Sequence, residues 1–477
     1  MPSVTEVAYE MVVGLEVHCE LLTETKLFCS CANHFGSEPN TNICPVCLGL
    51  PGSLPVLNRR AVELAIRVGE ALSCTVERSI FHRKNYFYPD MPKDYQISQY
   101  DFPINVDGAL ELPDGSRVGI VRAHIEEDTG KTTHMGGGGG RIHGASYSLV
   151  DYNRAGVPLV EIVSAPDIHS AAQARAYVAE LRAIVVAAGA SDGRMEEGSL
   201  RVDANVSVRP RGTEELGTRC EVKNLNSLRS LVRAIEHEST RQIALVSSGG
   251  AVTQETRHFD ESTGLTHSLR SKEEAYDYRY FPEPDLVPVV PDAALLRAAR
   301  TGIGPMPHER RRRIAELVGV DGTAEQIQTV IELDLDALVV AAVAAGADAR
   351  LTLARAANEA AAKAEGARSL DPLAFSALVG MEVAGRLSAT QAKSVLAELI
   401  DSGGDPAEIA SRLGFEAMAS SEVDSLVEEL IAAHPEEWER YRAGDAKVAS
   451  FLMGQVMRAT KGRANGRLVT EALEARR

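Results

Sequence analysis

Apolar and polar positions alternate along Met11–His18, so Val13, Leu15 and Val17 fall on one face of a strand and Glu16 and His18 on the other. Comparable apolar runs predict strands over Val118–Ile125, Ser146–Asp151, Leu159–Val163, Leu200–Val208 and Cys220–Val222. A three-to-four spacing of apolar residues predicts helices over Asn58–Leu72, Ser170–Ala187 and Ser227–Val246. After Pro305-Met306-Pro307 the pattern is helical throughout, and residues 337–366 are rich in alanine. Ser402-Gly403-Gly404-Asp405-Pro406 punctuates that region, and Asp405 or a residue beside it opens a new helix. No internal repeat is visible. The pattern predicts an α+β protein: a mixed β-sheet domain over 1–297, an all-helical domain over 298–403 and a small helical tail over 404–477.

Carboxylates in these strands change the picture. Glu161 shares its strand face with Leu159 and Val163, and burying even a neutral polar group without a partner costs about 2–7 kcal/mol. It therefore requires a cation, a proton or an arginine such as Arg154. Any one such stretch fits an ordinary half-buried strand with an ion-paired carboxylate. Together, Glu16, His18, Glu161 and one of the Glu126/Glu127 pair suit a divalent metal. Carboxylates favour magnesium or manganese, and the imidazole leans toward manganese or zinc.

A second chemistry lies in Cys29-Ser30-Cys31 and Cys44-Pro45-Val46-Cys47, two close cysteine pairs with the spacing of a four-thiolate zinc knuckle. The other cysteines, Cys19, Cys74 and Cys220, are scattered singly, and the chain shows no signal-peptide pattern, which argues against disulfides. Four thiolates leave no open coordination position, so the expected zinc is structural. His34, between the pairs, can replace one thiolate.

The chain has 477 residues, 44% hydrophobic and 25% charged, with no apolar run near the roughly 20 residues that span a bilayer. It reads as a soluble, cytoplasmic protein with no membrane partner. A net charge of -17 argues against indiscriminate nucleic-acid binding. Residues 441–477 are locally basic, however. Arg442, Lys447, Arg458, Lys461, Arg463, Arg467, Arg476 and Arg477 face only Asp445, Glu471 and Glu474, which suits a phosphate-bearing partner. The run Gly136–Gly140 reads as a hairpin tip rather than a phosphate cradle, since no Gly-Lys-Ser/Thr ending opens a helix after it. Gly130-Lys131-Thr132-Thr133 lacks the upstream glycine of a P-loop.

Longer stretches carry a family resemblance. Gly14–His18, Arg83-Lys84-Asn85-Tyr86-Phe87-Tyr88-Pro89-Asp90, His124–Lys131, Leu149–Glu161, Met195–Arg201, Lys223-Asn224-Leu225-Asn226-Ser227, Gln254–Arg257 and Asp277–Asp285 closely resemble the B subunits of bacterial tRNA-dependent amidotransferases, the GatB family. The likeness is dense from about 12 to 290 and resumes at Gly385–Ser388 and Phe451–Met457.

The resemblance implies a cradle-like catalytic domain, a helical domain and a YqeY-like tail that touches the body of a tRNA. It implies a reaction in which ATP phosphorylates the side-chain carboxylate of glutamate or aspartate misacylated on tRNA, and ammonia then displaces phosphate. Such subunits work with an amidase-type A subunit that supplies ammonia and a small C subunit, as a heterotrimer. The magnesium site carries over to Glu16, His18, Glu127 and Glu161, with Glu126 the alternative to Glu127. Lys84, Lys131, Arg201 and Lys223 are expected to neutralise ATP phosphates or the substrate carboxylate. Asp203 and Asn205 are candidates for a second magnesium. Tyr86 and Tyr88 are expected to stack on the terminal adenosine of tRNA or on the nucleotide, unless they pack beneath the site. Two positions depart from the family pattern: Ala165 stands where glutamate is usual, and Asp94 where glycine is. A noncatalytic RNA-binding scaffold and a metal-dependent nucleotide hydrolase are the rival readings.

Overall fold

The computed structural model describes residues 8–136, 144–271, 278–415, 420–443, 445–460, 464 and 466–477. The chain forms two compact units, Met1–Pro307 and His308–Arg477. No helix among the described residues is long and apolar enough to cross a membrane.

The first unit is built on strands β1 (Tyr9–Glu20), β2 (Thr75–Val76), β3 (His82–Asn85), β4 (Tyr95–Ser98), β5 (Asn105–Glu111), β6 (Arg117–Glu127), β7 (Lys131–Met135), β8 (Tyr147–Asp151), β9 (Pro158–Ser164), β10 (Leu200–Pro210), β11 (Cys220–Leu225), β12 (Glu255–Asp260), β13 (Leu265–Ser271) and β14 (Phe281–Pro282). The main sheet runs β13-β12-β11-β10-β1-β9-β6-β4-β3-β14, with β5 also paired to β6 and β2 to β5, while β7 and β8 form a separate ribbon. Neighbours are antiparallel except β11 and β12, which makes the sheet mixed as expected.

Helices α1 (Arg59–Ala71), α2 (Ala171–Ala187), α3 (Leu228–Ser247) and α4 (Ala293–Thr301) complete this unit. The first three begin where polar residues cap them: Asn58, Ser170 and Ser227 each accept hydrogen bonds from first-turn amides. Their apolar sides share one core with the inward positions of the sheet, among them Val13, Leu15, Val17, Val160, Ile162, Val202 and Ala204, all at most 1% exposed. Burying each leucine, isoleucine or valine there contributes roughly 1.5–3 kcal/mol, so β1, β9 and β10 hold their register firmly. A one-residue slip would turn Glu16 and Glu161 into that core.

Asp94 stands where the resemblance leads one to expect glycine, and its backbone has the conformation that glycine adopts most readily. Its φ of 62° lies in the left-handed region that Cβ-bearing residues avoid, within the turn between β3 and β4 where the Tyr86 amide donates to its carbonyl at 2.9 Å. Asp94→Gly is expected to leave thermal stability unchanged or raise it, and Asp94→Val to lower it by about 1–2 kcal/mol. Chemical denaturation of both variants checks the order.

Within the first unit α4 packs on α1. Arg67 donates to the Gly302 carbonyl at 3.1 Å and Arg300 to Glu70 at 3.0 Å. In the second unit, one core gathers residues from Ile314 to Leu399 together with Ile409 and Ala410. Asp405 does cap a new helix, Pro406–Arg412, yet that helix packs into the preceding core rather than opening the tail. A separate core from Val423 to Leu473, including Trp438 and Tyr441, lies C-terminal to it. Of the basic tail, Lys461 and Arg463 lie outside the described residues, as does the glycine run from 137 to 140.

Candidate active site

Cross-strand register turns motifs that are distant in sequence into rows of one surface. On the face opposite the core, Arg201 of β10 stands across from His18 of β1, His18 across from Glu161 of β9, and Glu161 across from His124 of β6. The next row holds Asp203, Glu16, Val163 and Arg122. These rows floor a cavity of about 480 Å³.

At its centre the His18 Nε2 lies 3.3 Å from Glu161 Oε2 and 3.9 Å from Glu126 Oε1. Glu126 also faces His124 Nε2 at 3.8 Å and accepts from Ser98 Oγ at 3.3 Å. Burial favours neutral His18, but the hydrogen bond to Glu161 and the charges of Glu161 and Glu126 outweigh it and raise His18 to about 9. Burial likewise opposes ionisation of Glu161, yet His124, His18 and Lys84 hold it well below the usual carboxylate range. Glu16 is shifted the other way, by burial and then by the charges of Glu161 and Glu221. One imidazole and crowded carboxylates thus compete for positive charge.

That donor set fits a hard divalent cation. Ligand atoms of His18, Glu126 and Glu161 lie within 4.8 Å of one another. An octahedral ion with bonds of about 2.1 Å spans about 4.2 Å between opposite ligands, so small side-chain rotations close the shell. Glu16, bonded to Asn205 Nδ2 at 3.0 Å, flanks the trio.

The expectation for Glu127 is not met by this geometry. Alternation along β6 turns it to the opposite face, where its carboxylate is paired with Lys93 and accepts the Ile97 amide at 2.8 Å. Glu126 faces the cluster in its place. Among the expected cations, Lys84, Arg201 and Lys223 line the cavity, whereas Lys131 is exposed on β7 and does not. Arg201 is held by Asp128 at 2.6 Å, and Lys223 bridges Asp203 and Glu221, each at 2.9 Å. Of the candidates for a second magnesium, Asp203 is paired with that ammonium and Asn205 Nδ2 donates to Glu16 Oε1. Lys84 has no ion pair among the described residues. Burial works against its charge, but Glu126, Tyr280, Tyr278 and Glu161 raise its pKa and keep it protonated, with its ammonium 4.7 Å from the Tyr278 ring centre.

Tyr86 lines the cavity, while Tyr88 covers its ring at 4.7 Å outside the lining. The reading from sequence overlooked Arg122, His124, Asp128, Tyr100, Tyr278 and Tyr280, all of which line the cavity. Period-two spacing from Glu126 marks Arg122 and His124. Tyr278 and Tyr280 lie in the Asp277–Asp285 stretch that carries the resemblance, but these tyrosines and Tyr100 are outside regular elements, so no face pattern aims them at the cavity.

The four cysteines meet as expected. Their sulfur atoms lie within 4.8 Å of one another, and Cys44 and Cys47 are 3.9 Å apart. Four thiolates about 2.3 Å from one zinc are about 3.8 Å apart, so the cluster can hold a metal of that size. A hydrogen bond with the Cys29 thiol is the largest influence drawing Cys47 down to about 5. His34 turns to Ser37 at 3.3 Å and is outside the cluster.

A cavity lined by cations and by a carboxylate–histidine cluster that could hold a metal ion lies on the sheet of the first unit, and a helical unit follows it in the chain. Residues 11–297 match the family described as GatB/GatE catalytic domain, and 338–476 match the GatB domain. The chain belongs to the family of aspartyl/glutamyl-tRNA(Asn/Gln) amidotransferase B subunits. It is 49% identical to the member from Thermobifida fusca over 96% of this chain and 92% of that one. It is 48% identical to the member from Streptomyces avermitilis, over 98% and 95% of the two chains. For Salinispora arenicola the values are 47%, 99% and 98%.

Proposed function

We propose that this chain catalyses ATP-dependent amidation of Glu-tRNA(Gln), Asp-tRNA(Asn) or both, working in the cytoplasm with an amidase-type A subunit and a small C subunit. The observation that carries the reading is the His18–Glu126–Glu161 cluster facing protonated Lys84 inside one cavity. A carboxylate is a poor electrophile. Transfer of the γ-phosphoryl group to a carboxylate oxygen yields ADP and an acyl phosphate. Ammonia then attacks the carbonyl carbon, loses a proton, and inorganic phosphate departs with the C–O electron pair.

Phosphoryl transfer is chiefly a matter of positioning and charge neutralisation. His18, Glu126 and Glu161, with Glu16 beside them, would hold a magnesium ion, which would supply charge neutralisation at phosphate oxygens. Lys84 is the cation best placed to meet transferred phosphate, since its charge is not committed to a carboxylate pair among the described residues. Arg201 and Lys223, locked by Asp128, Asp203 and Glu221, hold the charged floor rigid and present their remaining N–H groups to the cavity. Asp203 and Asn205 then act by fixing Lys223 and Glu16. The cysteine cluster takes zinc in a structural role, and the tail contacts the tRNA body.

The test is ATP cleavage by the assembled complex in the presence of Glu-tRNA(Gln) or Asp-tRNA(Asn), each compared with the same tRNA uncharged. Stimulation confined to misacylated tRNA is expected. Equal turnover with charged and uncharged tRNA would point to a nucleotide hydrolase, and no turnover to a scaffold.

A further inference from the structure

Most of the cavity lining is charged or polar, and its aromatic residues gather at one side. There Tyr100 and Tyr280 lie face to face, ring centres 4.0 Å apart and planes 5° from parallel. Tyr278 braces Tyr280 edge-on at 6.0 Å, and His82 braces Tyr100 edge-on at 6.3 Å. The stack is therefore fixed in plane from both sides.

Tyr100 nevertheless leaves 53% of its surface exposed. One ring face is covered by Tyr280, and about half of the residue's surface remains accessible besides that contact. Phe102, two residues on, is 48% exposed. A large aromatic residue left open beside a buried charged site is an apolar platform next to a phosphate-binding floor. Tyr86 and Tyr88 are less suited to that task because Tyr88, the more exposed of that pair at 37%, lies outside the cavity lining.

We propose that the Tyr100–Tyr280 stack is the platform on which an adenine ring lies, placing the attached phosphate or ester over the metal-binding cluster. Every base offers a flat π-face, and stacking on one aromatic side chain contributes about 1–3 kcal/mol per base, with little dependence on sequence. The inference rests on the function proposed above, which brings two adenines to this cavity: that of ATP and that at the 3′ end of tRNA. In this role Tyr100 is a positioning residue, acting through the base it holds rather than on the reacting atoms.

The experiment uses the assembled complex with Tyr100→Leu and Tyr100→Phe. Dissociation constants are measured for intact tRNA, for the same tRNA lacking its terminal adenosine, and for ATP. A platform for the tRNA end predicts that Tyr100→Leu weakens intact tRNA about tenfold. It should leave the shortened tRNA and ATP unchanged, and Tyr100→Phe should bind as wild type. A tenfold loss for ATP alone would assign the platform to the nucleotide. Equal weakening of both tRNAs, or no change for any ligand, would overturn the proposal. Failure of the broader function shows separately, as wild-type ATP cleavage that misacylated tRNA does not stimulate.

Discussion

Glu161→Gln is expected to lower misacylated-tRNA-dependent ATP cleavage by 100-fold or more, a loss larger than its lowered but still cooperative thermal transition explains. The magnitude follows from position. Removing groups that merely orient a metal ligand costs about 10–100-fold in affinity or activity, and Glu161 stands in the cluster itself. Its carboxylate meets His18 at 3.3 Å and Arg122 at 3.9 Å and lies across the sheet from His124. Glutamine keeps the shape and removes the charge, leaving imidazole and guanidinium without their counter-ion. Glu126→Gln should act in the same direction through the same cluster. Manganese titration followed by electron paramagnetic resonance checks the cause, because both variants should bind the ion at least tenfold more weakly than wild type. Full ATP turnover in Glu161→Gln would favour the scaffold reading, in which these carboxylates only stabilise the sheet.

The same residues show how far the sequence carries. Period-two alternation located β1, β9 and β10 nearly to their ends because each buries one full face, and it placed Glu16, His18 and Glu161 on the shared surface. It did not find β3 or β4, whose sequences His82-Arg83-Lys84-Asn85 and Tyr95-Gln96-Ile97-Ser98 are too short and too polar to show a face. Neither β12 nor β13 was visible, since Arg257 and Thr266 are buried there by a polar network around Glu238 rather than by apolar packing. Glu126 and Glu127 are both nearly inaccessible and adjacent, so neither composition nor burial separates them. Only the partner on each side does, with His18 and Ser98 on one and Lys93 and Ile97 on the other. The tyrosine platform was illegible for another reason: Tyr100 and Tyr280 are far apart in sequence and come from irregular segments.

Loss of the zinc proposed for the cysteine cluster should be the largest change in stability. In Cys44→Ser/Cys47→Ser the zinc content of the purified chain is expected to fall from about one to about zero equivalents. The thermal midpoint should fall by roughly 10 °C, since losing a fraction of the 10–16 kcal/mol that structural zinc supplies in small peptides is multiplied by about 2–4 °C per kcal/mol in units of this size. The effect should also reach the active site through an identifiable route. Asn40 and Asn42, between the cysteine pairs, receive Asp151 and Asn153 as hydrogen-bond acceptors at 3.0 and 2.8 Å. Leu27 donates to the Gly156 carbonyl at 2.9 Å and Lys26 Nζ to that of Tyr152 at 3.1 Å. The knuckle therefore clamps residues 151–156, which carry Arg154 and lead directly into Pro158–Ser164 with Glu161. Released from that clamp, the strand start should fray, and turnover should fall more at 37 °C than at 15 °C. A catalytic metal would instead remove activity equally at both temperatures with little change in melting, so the temperature dependence of activity in this double variant separates a structural from a chemical role for the zinc.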